Sequence, residues 1–84
     1  MSLEKKLDGR QATRIVLLYF TETYGSNGVI LFEILNVEYD NKGKVWTVEC
    51  GFFRTMFSSQ KDYFRVEVNS EGNIQSVKRI QQRQ

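Results

Sequence analysis

The chain has 84 residues, enough for one small domain, and twelve Lys and Arg against ten Asp and Glu give it a formal net charge of +2. So small a charge argues against general attraction to nucleic acid or to an anionic membrane. The chain has no His, no Pro and one Cys, which excludes an intramolecular disulfide and leaves few candidates for acid–base or nucleophilic catalysis. We therefore expect a protein that is not an enzyme and that holds no metal or other cofactor.

The first predicted element is an amphipathic helix over residues 9–24. Apolar side chains recur there at spacings of three and four residues: Ala12, Ile15, Val16, Tyr19, Phe20 and Tyr24. Asp8 and Gln11 fit a capping box at the start, and Gly25 suits the left-handed residue that ends a helix. Residues 15–20 also suit a buried strand, but the caps agree with the helical period and favour the helix.

Two strands are predicted next, over residues 29–39 and 44–56, joined by a polar turn. The apolar series of the first strand changes phase near residues 33–36, which predicts either a β-bulge or a strand covered on both faces. The second strand has an inward set of alternating residues: Trp46, Val48, Cys50 and Phe52. Cys50 is expected to be a small buried apolar residue.

The last two strands are predicted over residues 62–69 and 73–80. In the third strand Phe64, Val66 and Val68 alternate with Tyr63, Arg65 and Glu67, which we place on the outer face. The fourth alternates more weakly, with Ile74, Ser76, Lys78 and Ile80 on one side and Gln75, Val77 and Arg79 on the other. Lys78 and Arg79 are typical of a protected edge strand.

The predicted fold class is therefore α+β, with one N-terminal helix packed on a four-stranded antiparallel meander. Residues 1–84 form a single domain, in which residues 1–8 and 81–84 are expected to be frayed. No segment has the pattern of a signal peptide, and no apolar run is long enough to cross a membrane. The expected location is the cytoplasm, without membrane contact.

The order of these elements resembles that of the PepSY-like and wider cystatin-like α+β modules. The stretch 12–25 looks like their opening helix, and the pattern Val45-Trp-Thr-Val48, with residues 62–69 and 71–77, looks like their closing strands. The resemblance covers about residues 10–80. It implies a module that is not an enzyme.

A mismatch of lengths predicts an interaction surface. A strand of about 12 residues is near 40 Å long, whereas a helix of about 16 residues covers roughly 24 Å. The distal apolar residues then need cover from the other strands or from a second subunit. The predicted interaction surface comprises Phe53, Arg54, Met56, Phe57, Tyr63 and Arg65. A homodimer is the expected assembly, and another protein is the alternative partner.

Two other functions are compatible with parts of the sequence. Aromatic residues make up 13% of the chain, and Phe53, Phe57, Arg54 and Arg65 are candidates for a platform that stacks single-stranded nucleic acid. Nearby acidic residues and the small net charge make nucleic acid the weaker prediction. A carboxylate site built from Glu33, Glu38 and Glu49 would support metal binding or acid–base chemistry, but solvated outer-face charges explain these residues better.

Overall fold

The computed structural model describes residues 7–81, and it has the predicted architecture. Helix α1, Gly9–Tyr24, is followed by a short 3₁₀ helix, Ser26–Gly28, and by four strands. The strands are β1 (Ile30–Asp40), β2 (Val45–Phe53), β3 (Asp62–Asn69) and β4 (Ile74–Ile80). They form one antiparallel sheet in the order β1-β2-β3-β4, with α1 across one face. The fold class predicted from the sequence is confirmed.

Helix α1 has the predicted bounds because both of its ends are fixed locally. The Gln11 backbone N–H donates to Asp8 Oδ1 at 2.9 Å, and the Asp8 N–H donates to Gln11 Oε1 at 2.8 Å. Gly25 has φ +86° at the other end. The Leu7 carbonyl accepts a hydrogen bond from Trp46 Nε1 at 3.1 Å. Leu7 and Asp8 are thus held in place, although the sequence put them in a frayed end, while residues 1–6 and 82–84 lie outside the described part.

The core lies between α1 and one face of the sheet. Nine apolar side chains are buried there: Ala12, Val16, Phe20, Val48, Cys50, Phe52, Phe64, Val66 and Val68. The ring of Phe20 lies 5.0 Å from that of Phe52 and 4.8 Å from that of Phe64, measured between centroids. The inward sets predicted for β2 and β3 are confirmed, although Trp46 is only half-buried.

The phase change predicted in the first strand is present as two irregularities in the pairing of β1 with β2. The register shifts once between Ile30 and Glu33 and again between Ile34 and Asn36. Leu31, in the first of these, has φ +56° and a side chain that is 70% exposed. Phe32 precedes the second shift and Val37 follows it. Both side chains therefore pack on the core, although the two positions differ by an odd number of residues.

Two predictions about strands are wrong. The second strand was predicted to reach Met56, but β2 ends at Phe53. Thr55 accounts for this: its hydroxyl accepts from the Phe57 N–H at 3.1 Å, and its carbonyl accepts from the Ser58 N–H at 3.3 Å. These bonds close a turn in place of a sheet ladder.

The second error concerns the faces of β4. The alternation placed Ile74 and Val77 on opposite sides, yet both pack against the core. Glu67 pairs with Ser76 while the next residue, Val68, pairs with Ile74, so one residue of β4 is left over between them. A bulge of this kind moves the following residues to the other face.

Candidate functional site

The candidate site is the face of the sheet opposite α1, which we call the open face. Residues paired directly across antiparallel strands point to the same side. The side chains of Val48, Cys50 and Phe52 point to α1, so Thr47, Glu49, Gly51 and Phe53 lie on the open face. Helix α1 packs on the other face, and within residues 7–81 no second α-helix covers this one.

One end of the open face is apolar. Tyr63 pairs with Gly51 on one side and with Ile80 on the other. Its ring lies directly on the glycine, because a Cβ added at Gly51 would come within 2.5 Å of two ring carbons of Tyr63. Phe53 lies two residues beyond Gly51, at the next open-face position of β2, and the Lys61 ammonium is 5.5 Å from the Phe53 ring centroid. Tyr63, Ile80 and Phe53 are all half-buried.

The middle of the open face is charged. Glu49 on β2 pairs with Arg65 on β3, whose Nε donates to Glu49 Oε2 at 2.8 Å. Lys78 on β4 pairs with Arg65 on the other side, so two cations lie side by side. Like charges in directly opposed positions destabilise a sheet. Arg65 is therefore paired with a carboxylate on one side and with a second cation on the other.

Three of the five acidic side chains on the open face lie on β1, and the other two are Glu49 on β2 and Glu67 on β3. Glu33, Glu38 and Asp40 are paired with open-face positions of β2, and Glu33 Oε2 lies 2.7 Å from Lys61 Nζ. The open face thus changes from acidic at β1 to basic at Arg65 and Lys78. Exposed ion pairs such as these add little stability, on the order of 0 to 1 kcal/mol. Their main effect is on which surface can approach this one.

The sequence favoured solvated outer-face charges for Glu33, Glu38 and Glu49 over a carboxylate site, and all three lie on the open face. Asn36 pairs with Glu49 and separates the other two along β1. Glu33 and Glu49 each make an ion pair with a basic side chain. No group of three metal-ligating side chains comes together among the described residues.

The loop between β2 and β3 carries the most exposed apolar side chains. Phe57 is 93% exposed and Met56 is 79% exposed. The turn that holds them is closed by Thr55 and Ser58, whose hydroxyl oxygens are 3.0 Å apart. We call residues 55–58 the loop tip. Because the turn is already hydrogen-bonded, a contact through Phe57 would need little additional ordering.

The six residues of the predicted interaction surface fall in three places. Phe53, Tyr63 and Arg65 lie on the open face, whereas Met56 and Phe57 are on the loop tip and not on a strand. Arg54 lies on the helix side, with its guanidinium carbon 3.7 Å from the centroid of the Tyr24 ring. The platform predicted for nucleic acid is therefore divided, because its members Phe53, Phe57, Arg54 and Arg65 do not share one face.

Sequence reasoning missed three members of the open face. These are Gly51, Lys78 and Ile80, which lie beside Tyr63 and Arg65, and nothing in the alternation of β4 indicates where the bulge changes its faces. The spacing of Ser76, Lys78 and Ile80 was the available signal, since these residues share one side. Gly51 had a signal too, because a glycine inside a strand marks a close approach.

Cys50 is not part of the candidate site. Its side chain is fully buried between α1 and the sheet. Burial raises the pKa of the thiol from its usual value near 9.0 to about 12. The reactive thiolate is therefore suppressed at neutral pH.

Comparisons with family models, with curated proteins and with solved structures gave no match. The similarity to PepSY-like and cystatin-like modules stays a prediction from the sequence. In the part of the chain that the structure describes, no helix has the length and apolar character needed to cross a membrane.

Proposed function

We propose that this chain is a small non-catalytic module that binds proteins, including a second copy of itself, through the open face and the adjoining loop tip. One observation carries the proposal: α1 covers a single face of the sheet, and the other face presents half-buried aromatic residues beside fixed charges. Aromatic residues with Arg and Met are enriched in protein interfaces. Phe53, Tyr63 and Arg65 supply part of this combination on the open face, and Met56 and Phe57 supply the rest on the loop tip.

The arrangement favours protein over nucleic acid as the partner. A single-strand platform needs aromatic rings and cations along one continuous groove. Here Arg54 is stacked on Tyr24, and Arg65 and Lys61 each lie against a carboxylate. The acidic side chains of β1 occupy the same face and would repel a phosphate backbone.

The proposal is tested by nuclear magnetic resonance on the uniformly ¹⁵N-labelled chain. Amide spectra are recorded from the micromolar to the millimolar range, and then with unlabelled extract of the source cells added at low protein concentration. We expect shifts or broadening at Gly51, Tyr63 and Arg65. The solvent side of α1, at Arg14 and Leu18, serves as the internal reference.

Changes confined to the reference positions, or no change in either experiment, would contradict the proposal. The variant Tyr63→Ser provides a matched comparison, because it removes the ring from the open face and leaves the buried core unaltered. Loss of the spectral changes in this variant, with an unchanged core spectrum, is the expected result.

A further inference from the structure

Resting on the proposed function, we infer that the partner of the open face is the open face of a second copy of this chain. The two copies are related by a two-fold axis that lies between the sheets and runs parallel to the strands. The order of the charges on the open face supports both the partner and the direction of the axis.

Paired residues form rows across the open face. One row runs from Asn36 through Glu49 and Arg65 to Lys78. A rotation about an axis parallel to the strands reverses the order of the strands and keeps each row at its own height. Strand β2 then lies over β3 of the second copy, and β1 lies over its β4.

This rotation sets opposite charges against each other at the centre. Glu49 faces Arg65 of the second copy, and Arg65 faces Glu49 of the second copy. The Glu49–Arg65 ion pairs of the two copies together form a square of four alternating charges. Because the aligned packing of two twisted sheets keeps their strands within about 30° of each other, these contacts fit an ordinary sheet-on-sheet geometry.

The same rotation brings the acidic strand β1 over the basic strand β4. Lys78 of the second copy lies in the row between Glu33 and Glu38. Neighbouring rows are separated by two residues, about 7 Å, which a lysine side chain spans. Within one chain Lys78 lies beside Arg65, a like charge, and the carboxylates of the second copy relieve that repulsion. This seam occurs twice, once on each side of the axis.

The apolar end selects the same orientation. With the axis parallel to the strands, the apolar end of one copy meets the apolar end of the other, and Tyr63 lies over Gly51 of the second copy. An axis at right angles to the strands would instead put this apolar end over the polar end, where Val45 pairs with Asp40 and Asn69. If that axis passed through the central row, it would also put Glu49 over Glu49 and Arg65 over Arg65.

The available area fits a reversible dimer. Four strands spaced about 4.8 Å apart and about eight residues long give a flat footprint near 500 Å² for each copy. Two copies together bury about 1,000 Å², the lower limit for a specific interface. We therefore expect a dimer whose population depends on protein concentration.

The decisive experiment exchanges the charges of the seam. Lys78→Glu puts a carboxylate opposite Glu33 and Glu38, and Glu38→Lys puts an ammonium opposite Lys78. A homodimer of either variant has a new like-charge contact in both seams. In the mixed dimer one seam is that of wild type, and the other places the carboxylate introduced at position 78 beside the ammonium introduced at position 38. Sedimentation velocity and native mass spectrometry measure the dimer in each sample, and circular dichroism confirms that each variant is folded.

We expect the dissociation constant of each variant's own dimer to rise at least about tenfold, and mixing the variants to restore a dimer close to wild type. Arg14→Glu and Glu22→Lys make the same changes of charge on exposed positions of α1 and should leave the dissociation constant within about twofold. A wild-type chain that stays monomeric into the millimolar range would overturn the inference. So would variants that dimerise as well as wild type, or a mixture that associates no better than its components.

These outcomes separate the inference from the proposed function. Spectral changes on the open face when cell extract is added to a chain that stays monomeric would preserve the proposed function and overturn the dimer. No change on the open face in any experiment would overturn both.

Discussion

Replacing Gly51 by alanine tests whether the ring of Tyr63 truly rests on the sheet. The added Cβ would lie 2.5 Å from two carbons of that ring, far inside the normal contact distance of about 3.5–4.0 Å. The ring must therefore lift by about 1 Å or rotate away. Overfilling a packed site of this kind costs about 1–3 kcal/mol. Relief of the conformational entropy of glycine returns about 0.5–1 kcal/mol.

The expected net effect of Gly51→Ala is a loss of about 1 kcal/mol in the free energy of unfolding. In a domain of this size the melting temperature would fall by about 4–8 °C. The measurement is urea unfolding followed by tryptophan fluorescence, at a fixed protein concentration low enough to keep the chain monomeric.

The sign of the effect should reverse when the ring is absent. In the background of Tyr63→Ala nothing crowds the new methyl group, so Gly51→Ala should stabilise the protein by about 0.5–1 kcal/mol. The two positions are then coupled by about 2 kcal/mol in a double-mutant cycle. Equal effects of Gly51→Ala in both backgrounds would refute the placement of Tyr63 on Gly51.

Three further predictions follow from burial. Phe20→Ala should lower the free energy of unfolding by about 3–5 kcal/mol, because Phe20 is central to the buried cluster. Leu18 is half-exposed, so Leu18→Ala should lower it by less than about 1 kcal/mol. Equal losses in thermal unfolding would contradict this assignment of the core. Phe57→Ser should change stability by less than about 0.5 kcal/mol because the side chain is 93% exposed, and a larger loss in urea unfolding would place the loop tip against the domain. Burial raises the pKa of Cys50 to about 12, so the buried neutral thiol contributes its full stability below pH 9 and loses it as the pH rises toward 12. The unfolding free energy of wild type should therefore fall more steeply between pH 9 and pH 12 than that of Cys50→Ala. Parallel curves for the two proteins would contradict the raised pKa.

Sequence predicted the fold where local chemistry decides it. The capping box of Asp8 and Gln11 fixes the start of α1, and Gly25 fixes its end. Both ends are therefore set by hydrogen bonds between residues close in the sequence. The alternation in β2 and β3 predicts the core because side chains in a strand alternate between two faces, and in these strands one of the two sets is mainly apolar. These signals act over a few residues and need no knowledge of distant contacts.

The errors come from features that depend on pairing between distant segments. The bulge opposite Glu67 and Val68 is defined only by the register of β3 with β4, so the faces of Ile74 and Val77 were misjudged. The predicted end of β2 is wrong because the Thr55 hydroxyl accepts from the Phe57 N–H and closes a turn where the apolar pattern alone continues the strand. For the candidate site, Tyr63 and Arg65 were found from alternation, whereas Lys78 and Ile80 required the corrected register.

The two faces of the sheet differ in character, and the difference bears on whether the proposed dimer and the fold can be lost separately. The buried cluster between α1 and the sheet contains no polar residue among those described, so folding does not depend on closing an ion pair. The open face has the opposite character, since its aromatic end is only half-buried and its charges remain in contact with water. An obligate interface resembles a divided apolar core, and this face does not. If the proposed dimer forms through this face, Lys78→Glu should therefore abolish it and leave the fold intact, whereas loss of the fold together with the dimer would show that the two are not separable.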